Sequence, residues 1–528
     1  MTAGPTYRLA GGLVADGDGG IARLADVVIS DGRVAAITRP SRADGAEADD
    51  CRTIDCAGRV VMPGMIDIHS HADDAIFDDS VQHALLRQGV TTVVVGQDGV
   101  SYAPGDGSYA GTYFEGLIGR PRHYRGDGVA GLLSGYDGRT RVNVAYAVPL
   151  GTVRQVVAGH RSGPATPVEL AAMERLVRQG LEEGAVGVSS GLDYTPGLFA
   201  DAAELGRMAA VAAGFDKPYI THMRGGYEDN APVGISEALA IARSSGAAVH
   251  ISHFHGDPGM VLGEVERLNA GGCRGTFDAY PYRRGCTLLA MLTMPPELMA
   301  RGSEEVVRLL EDRGFARGLA TEWFPQVARR PDLGPAWMDR VTYSSVDADA
   351  LRGIEGLTVA EAGRELGEDP RLTICRVLAA TQLRAVVVAR NPRPRTDSEL
   401  AQIFESPHHT GGSDGIYLGG KPHPRGWGTF ARYLSRFVRQ RGDWDWAQAA
   451  VHLAARPADI LGWSHRGRIQ PGAIADAVVL DPAAVRDTAT YRHPRRLAQG
   501  VLEIFVTGRH VLHEGELTDE YAGQGIRG

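Results

Sequence analysis

The sequence has no uninterrupted apolar run approaching the ~18 residues a membrane-spanning helix needs. Its opening stretch, MTAGPTYRLAGGLVADGDGG, has neither the basic segment nor the apolar core of a secretory leader. A cytoplasmic chain with no membrane partner is therefore expected. Cysteine is scarce: Cys51, Cys56, Cys273, Cys286 and Cys375 are odd in number and lack zinc-ribbon spacing, which points to reduced, mostly packed thiols rather than a disulfide frame. A basic surface is missing too. The formal net charge is -9 with basic residues dispersed, which argues against nucleic acid or an anionic membrane and leaves a small molecule as the expected partner.

What is present is an ordinary globular composition in a chain of 528 residues, more than one core usually fills. A large catalytic domain with smaller units beside it is expected. Residues 5 to 59 alternate short β-like runs with turns, and Asp31-Gly32 between Asp26–Ser30 and Arg33–Ile37 is a strong hairpin signal. Residues 466 to 516 behave alike, with strand runs at Ala477–Leu480, Leu502–Val506 and His510–Leu512. The simplest arrangement is a discontinuous β-sandwich, residues 1–60 with 460–528, flanking a central domain at 61–459.

In that central domain strands alternate with helices, which predicts parallel βα units. Strands are read at Thr91–Val95, Asn143–Val148, Val186–Ser189, Tyr219–Thr221, Ala248–Ser252, Thr276–Ala279 and His408–Gly411. Thr166-Pro167-Val168-Glu169 is a capping box with proline at the first helical position, so a helix is expected from Pro167 to about Glu183. Residues from about 286 to 345 break the rhythm and read as a small insertion over the barrel mouth.

The stretch Val60–Asp74 organises the rest. An apolar strand after Pro63-Gly64 ends in His69-Ser70-His71, and residues two apart on a strand share a face, so both imidazoles can reach one metal ion. With 17 histidines, about half a His-x-His pair arises by chance, so this pair proves nothing alone, and His253-Phe254-His255 is a second. Its position at a strand's C-terminal end, where barrel enzymes keep their chemistry, sets it apart. Successive strand ends then carry Asp98, Asp193-Tyr194, His222, His253, Tyr280 and Asp414. Any one histidine reads as a satisfied buried residue; a ring of His and carboxylate reads as a zinc site.

The motifs Pro63-Gly64-Met65-Ile66-Asp67-Ile68-His69-Ser70-His71, Gly191-Leu192-Asp193-Tyr194-Thr195-Pro196-Gly197, Thr221-His222-Met223-Arg224, Ile251-Ser252-His253, Asp278-Ala279-Tyr280-Pro281-Tyr282 and Gly412-Ser413-Asp414-Gly415 resemble those of the amidohydrolase superfamily, and within it the D-aminoacylases (N-acyl-D-amino-acid deacylases). The resemblance spans nearly the whole chain, through His423-Pro424-Arg425 to Gly467–Asp476. It implies a distorted (β/α)8 barrel with one or two zinc ions at His69, His71, His222 and His253, and Asp414 as catalytic base and possible ligand. The implied reaction is hydrolysis of the N-acyl bond of an N-acyl-D-amino acid. Tyr194 is a candidate donor to the developing oxyanion, a packing wall being the competing reading.

Three departures stand out. Asp98 occupies the place of the family's metal-bridging cysteine, His255 that of a lysine, and Cys286 that of a serine. The last two belong to the end that binds the substrate carboxylate, where Tyr280, Arg425 and Arg224 are further candidates, Arg425 against the alternative of a structural ion pair. Two rivals remain open: cyclic-amide hydrolysis, which typically uses a carboxylated lysine that Val186–Ser190 does not offer, and a metal-poor binding protein on the same scaffold.

Overall fold

A computed structural model describes residues 5–40, 51–112, 114–330 and 332–528. The chain opens with Thr6–Val14 (β1), Arg23–Ser30 (β2) and Arg33–Thr38 (β3), paired antiparallel. Asp31 and Gly32 turn between the last two at φ 50° and 77°, the left-handed conformation a two-residue hairpin of this hand requires. Cys51–Asp55 (β4) and Val60–Pro63 (β5) then run parallel to β1, which passes from one to the other at a bulge between Leu9 and Gly12.

Seven strands follow, each parallel to the one before: Met65–Asp67 (β6), Val90–Val95 (β7), Asn143–Pro149 (β8), Gly187–Gly191 (β9), Tyr219–His222 (β10), Val249–Ile251 (β11) and Gly275–Ala279 (β12). Those from β6 to β9 and β11 are buried along their whole length, as strands covered by helices on one face and packed inside a barrel on the other must be. The crossover helix Pro167–Glu182 starts on the capping box at Thr166 and Glu169. Arg284–Leu288 (β13), Val341–Ser345 (β14) and Val386–Arg390 (β15) leave the barrel and form their own antiparallel sheet with β15 in the middle, so the break in rhythm reaches well past residue 345.

His409–Gly411 (β16) returns beside β12 as the eighth barrel strand. Its far edge meets β6 through residues just beyond both strands: Asp414 N–H donates to His69 O at 2.7 Å, His71 N–H to Gly415 O at 3.0 Å, and Ser413 N–H to Asp67 Oδ1 at 2.7 Å. The distorted (β/α)8 barrel therefore closes at its C-terminal mouth. Ala477–Leu480 (β17), Val501–Val506 (β18), Arg509–His513 (β19) and Glu516–Leu517 (β20) join β5 through β17, which puts both ends of the chain in one nine-stranded sheet. Leu9, Val27, Val61, Val479 and Phe505 pack there as a core separate from that of the barrel. Finally Gly525–Ile526 (β21) pairs with β8. Among the described residues no helix is long and apolar enough to cross a membrane, and all five cysteines are free thiols.

Candidate active site

Because the barrel closes through the loops after β6 and β16, it brings His69, His71 and Asp414 together. The loop after β7 adds Asp98, and the four offer ligand atoms all within 4.8 Å of one another. His71 Nε2 lies 3.2 Å from Asp414 Oδ1 and 3.6 Å from Asp98 Oδ2, and His69 Nε2 is 3.6 Å from Asp98 Oδ1. A second group, Asp98, His222 and His253, meets the same limit. There Asp98 Oδ2 is 3.6 Å from His253 Nε2 and 3.9 Å from His222 Nδ1. Asp98 thus belongs to both groups and lies between them.

Asp98, His253 and Asp414 hold left-handed backbones at φ 53°, 33° and 49°. Such conformations cost about 1–3 kcal/mol each and persist only where surrounding structure imposes them. For Asp98 that structure is the close packing of its loop on β9: a Cβ at Gly99 would come within 2.7 Å of Gly191 N, and one at Gly191 within 2.0 Å of Asp98 O.

The electrostatics of the site favour a cation. Asp98, Asp278 and Asp414 place three buried carboxylates around the imidazoles, with the Arg425 guanidinium paired at 2.7 Å to Asp414 as their arginine partner. Burial pushes the Asp414 carboxyl up, but Arg425, His253 and His71 more than reverse this and hold it at about 2. Asp98 is likewise driven up by burial and brought well below the carboxylate range by His69, His253 and His71. Unneutralised, each such charge costs several kcal/mol. His69 Nε2 and Asp98 Oδ1 are buried with no hydrogen-bond partner among the described residues. Converging nitrogen and oxygen donors, excess negative charge and orphaned donor atoms fit a zinc ion.

The imidazoles are oriented from behind by carboxylates. Asp193 Oδ2 is 3.1 Å from His222 Nε2, leaving Nδ1 for the site. Asp278 does more: Oδ2 is 3.4 Å from His69 Nδ1 and 3.1 Å from His250 Nε2, while Oδ1 accepts the His253 backbone N–H at 2.9 Å. Asp278 lies within β12 and not at its end, so the strand-end pattern does not pick it out. The available signal was a charged residue in a buried run, Gly275-Thr-Phe-Asp-Ala279, which has to find partners.

The site opens onto a cavity of about 620 Å³. Its lining includes Tyr194, His255, Tyr280 and Cys286 among the expected residues, and Leu292 and Trp323 from the segment between β13 and β14. Tyr194 Oη is 2.8 Å from His222 Nδ1 and 3.4 Å from Asp98 Oδ2. His255 Nδ1 is 2.9 Å from His253 O, its ring tilted on Tyr227. Burial raises the Cys286 thiol to about 12, so it is a neutral group. Arg425 and Arg224, also expected at the substrate end, do not line the cavity. Arg425 is 0% exposed, held by Asp414 and beneath the Tyr280 ring at 4.9 Å; Arg224 is drawn off by Glu237 and by the carbonyls of Leu198 and Ala200.

Residues 52–308 and 336–517 match the amidohydrolase family. The chain belongs to that family. An N-acyl-D-glutamate deacylase of Alcaligenes xylosoxydans xylosoxydans is 31% identical to this amidohydrolase, over 94% of this chain and 92% of its own. A D-aminoacylase of the same organism is 29% identical over 98% and 96%. Among solved structures, the N-acyl-D-glutamate deacylase of Bordetella bronchiseptica, complexed with zinc and a phosphonate mimic of the tetrahedral intermediate, matches with a TM-score of 0.82 at 29% identity, covering 99% of this chain and 100% of that one. Membership of that family makes the chain a hydrolase, and the donor groups at its barrel mouth could hold a metal ion.

Proposed function

We propose that this amidohydrolase cleaves the linear amide of N-acyl-D-amino acids to a carboxylate and a free D-amino acid. The observation that carries the reading is the pair of donor groups sharing Asp98 beneath a cavity sized for a small substrate. His69, His71, Asp98 and Asp414 would hold one zinc, and Asp98, His222 and His253 a second. Zinc held there would supply Lewis acidity toward the amide carbonyl and make water acidic near neutral pH. Asp414 takes the proton from the attacking water and returns it to the leaving amine. The Tyr194 hydroxyl donates to the oxygen on which charge develops. For cyclic amides the lysine expected on the fourth strand is missing, β9 offering Ser189 and Ser190 in its place. Assay of N-acyl-D- and N-acyl-L-amino acids, before and after chelation and zinc return, tests the proposal; it fails if the D-forms are untouched by zinc-loaded enzyme.

With Arg425 and Arg224 occupied elsewhere, the substrate carboxylate needs another cation. Arg284 and Arg390 line the cavity and face each other directly across the β13–β15 ladder, an arrangement of like charges that is unfavourable unless an anion relieves it. Arg284 stacks at 4.0 Å on Tyr491, and among the described residues neither guanidinium forms an ion pair with a carboxylate. We assign them to the substrate carboxylate. Arg284→Met is expected to raise KM for N-acyl amino acids at least about tenfold while changing KM for the matching neutral amides little. Equal effects on both substrates would remove Arg284 from recognition.

Asp278 acts as a positioning residue. Asp278→Asn keeps the size but loses the charge that orients His69, so zinc affinity is expected to fall about 10–100-fold, with kcat recovered at high zinc. Calorimetric zinc titration with parallel kinetics checks this; unchanged affinity would leave Asp278 a packing group.

A further inference from the structure

A third cluster of ligating side chains lies outside the barrel, on the β18–β19 hairpin. Residues three apart on a regular strand point to opposite faces, yet His510 and His513 share one. The cause is a bulge: Ile504 pairs with Leu512 but Phe505 with His510, so Val511 is an extra residue that returns His510 to the face of His513. Both imidazoles then converge on one carboxylate oxygen. Glu503 Oε2 is 2.7 Å from His510 Nε2 and 3.0 Å from His513 Nδ1. The His510 ring is fixed by stacking on Phe505 at 4.6 Å and by Tyr7 at its edge, so its direction is set before any ligand arrives.

Glu503 is only 7% exposed, and among the described residues it pairs with no arginine or lysine; its partners are these two imidazoles and the Glu514 backbone N–H. A buried carboxylate calls for a fixed positive charge, and both ring nitrogens that face it also carry lone pairs when deprotonated. In a tetrahedral zinc site with bonds of about 2.0–2.1 Å, neighbouring ligand atoms lie about 3.3 Å apart. The observed 2.7 Å and 3.0 Å need to open by about 0.6 Å and 0.3 Å, a shift shared between the Glu503 carboxylate and the 61% exposed side chain of His513. Exposure also leaves a way in from solvent and a place for water as the fourth ligand.

We propose that Glu503, His510 and His513 form a second, structural site for a divalent transition-metal ion of the zinc type, independent of the reaction. Bound there, the ion clips β18 to β19 at the edge of the sheet shared by both chain ends.

The test uses full-length protein with its barrel site already zinc-loaded and freed of excess metal. Titration with zinc chloride is followed by calorimetry and the bound metal counted by mass spectrometry. Wild type is expected to take up one further zinc per chain, and His513→Ala and Glu503→Gln to bind it at least about tenfold more weakly. Their kcat/KM should stay unchanged, because none of these residues touches the cavity, and added zinc should raise the Tm of wild type more than of either variant. Absence of a further zinc in wild type, or titration curves that superpose for wild type and His513→Ala, overturns the proposal and leaves a hydrogen-bonded His–Glu–His cluster.

Discussion

Asp414→Asn is expected to lower kcat at least about a thousandfold, within the range ascribed to a positioned general acid–base group, while zinc stays bound at His222 and His253. Asparagine has nearly the same shape and keeps one acceptor oxygen, which can face either Arg425 or His71, now 2.7 Å and 3.2 Å from the two separate oxygens of the carboxylate. What it loses is the ability to hold a proton and give it back. A second effect has to be separated from this one: Arg425 is fully buried, and loss of its counter-charge leaves a cation unpaired at a cost of about 3–5 kcal/mol. Activity should therefore be read well below the Tm of the variant, with circular dichroism as the check on folding. Arg425→Met offers the complementary case, because it disturbs the same pair yet keeps the carboxylate; it is expected to retain far more turnover than Asp414→Asn at equal loss of stability. More than a few per cent of wild-type kcat in folded Asp414→Asn would end the assignment of Asp414 as the base.

The barrel was legible because its strands are short apolar runs bounded by turns, and strand ends are where a period-two pattern stops and polar residues begin. His69, His71, Asp98, His222, His253 and Asp414 could be placed on that ground, and they do converge. Closure was not legible. It depends on single contacts such as Asp414 N–H to His69 O, between residues 345 positions apart, which leave no periodic trace. The left-handed backbones at Asp98, His253 and Asp414 were equally hidden, since the residue that announces such a conformation is glycine and none stands there. Val386–Arg390 escaped for a related reason: its partners β13 and β14 lie far upstream, and an apolar run of five residues does not reveal which sheet it joins. The surroundings of Arg425 and Arg224 were not legible either, because a guanidinium suits a substrate carboxylate and a protein carboxylate equally well, and only geometry shows that Asp414 and Glu237 stand beside them.

Asp98→Ala is expected to remove zinc and activity together, and Asp98→Cys to keep zinc. The structure supplies the reason. Both oxygens of Asp98 face imidazoles, Oδ1 toward His69 and Oδ2 toward His71 and His253, so one carboxylate can serve two metal positions as a bridging thiolate does. Alanine would take a ligand from both positions at once and leave the first with His69, His71 and Asp414 and the second with two imidazoles. The second position should therefore empty first. The removal also takes away one of the buried negative charges that attract a dication, which weakens the first position as well. Cysteine restores a single soft donor whose thiolate is favoured by the metal itself, so zinc is expected to return with at least partial turnover. Metal content per chain, measured beside kcat on the same preparations, decides the matter. If the alanine variant holds as much zinc as wild type and turns over at the same rate, Asp98 is a loop residue that happens to sit among histidines, and the barrel mouth must bind metal through its imidazoles and Asp414 alone.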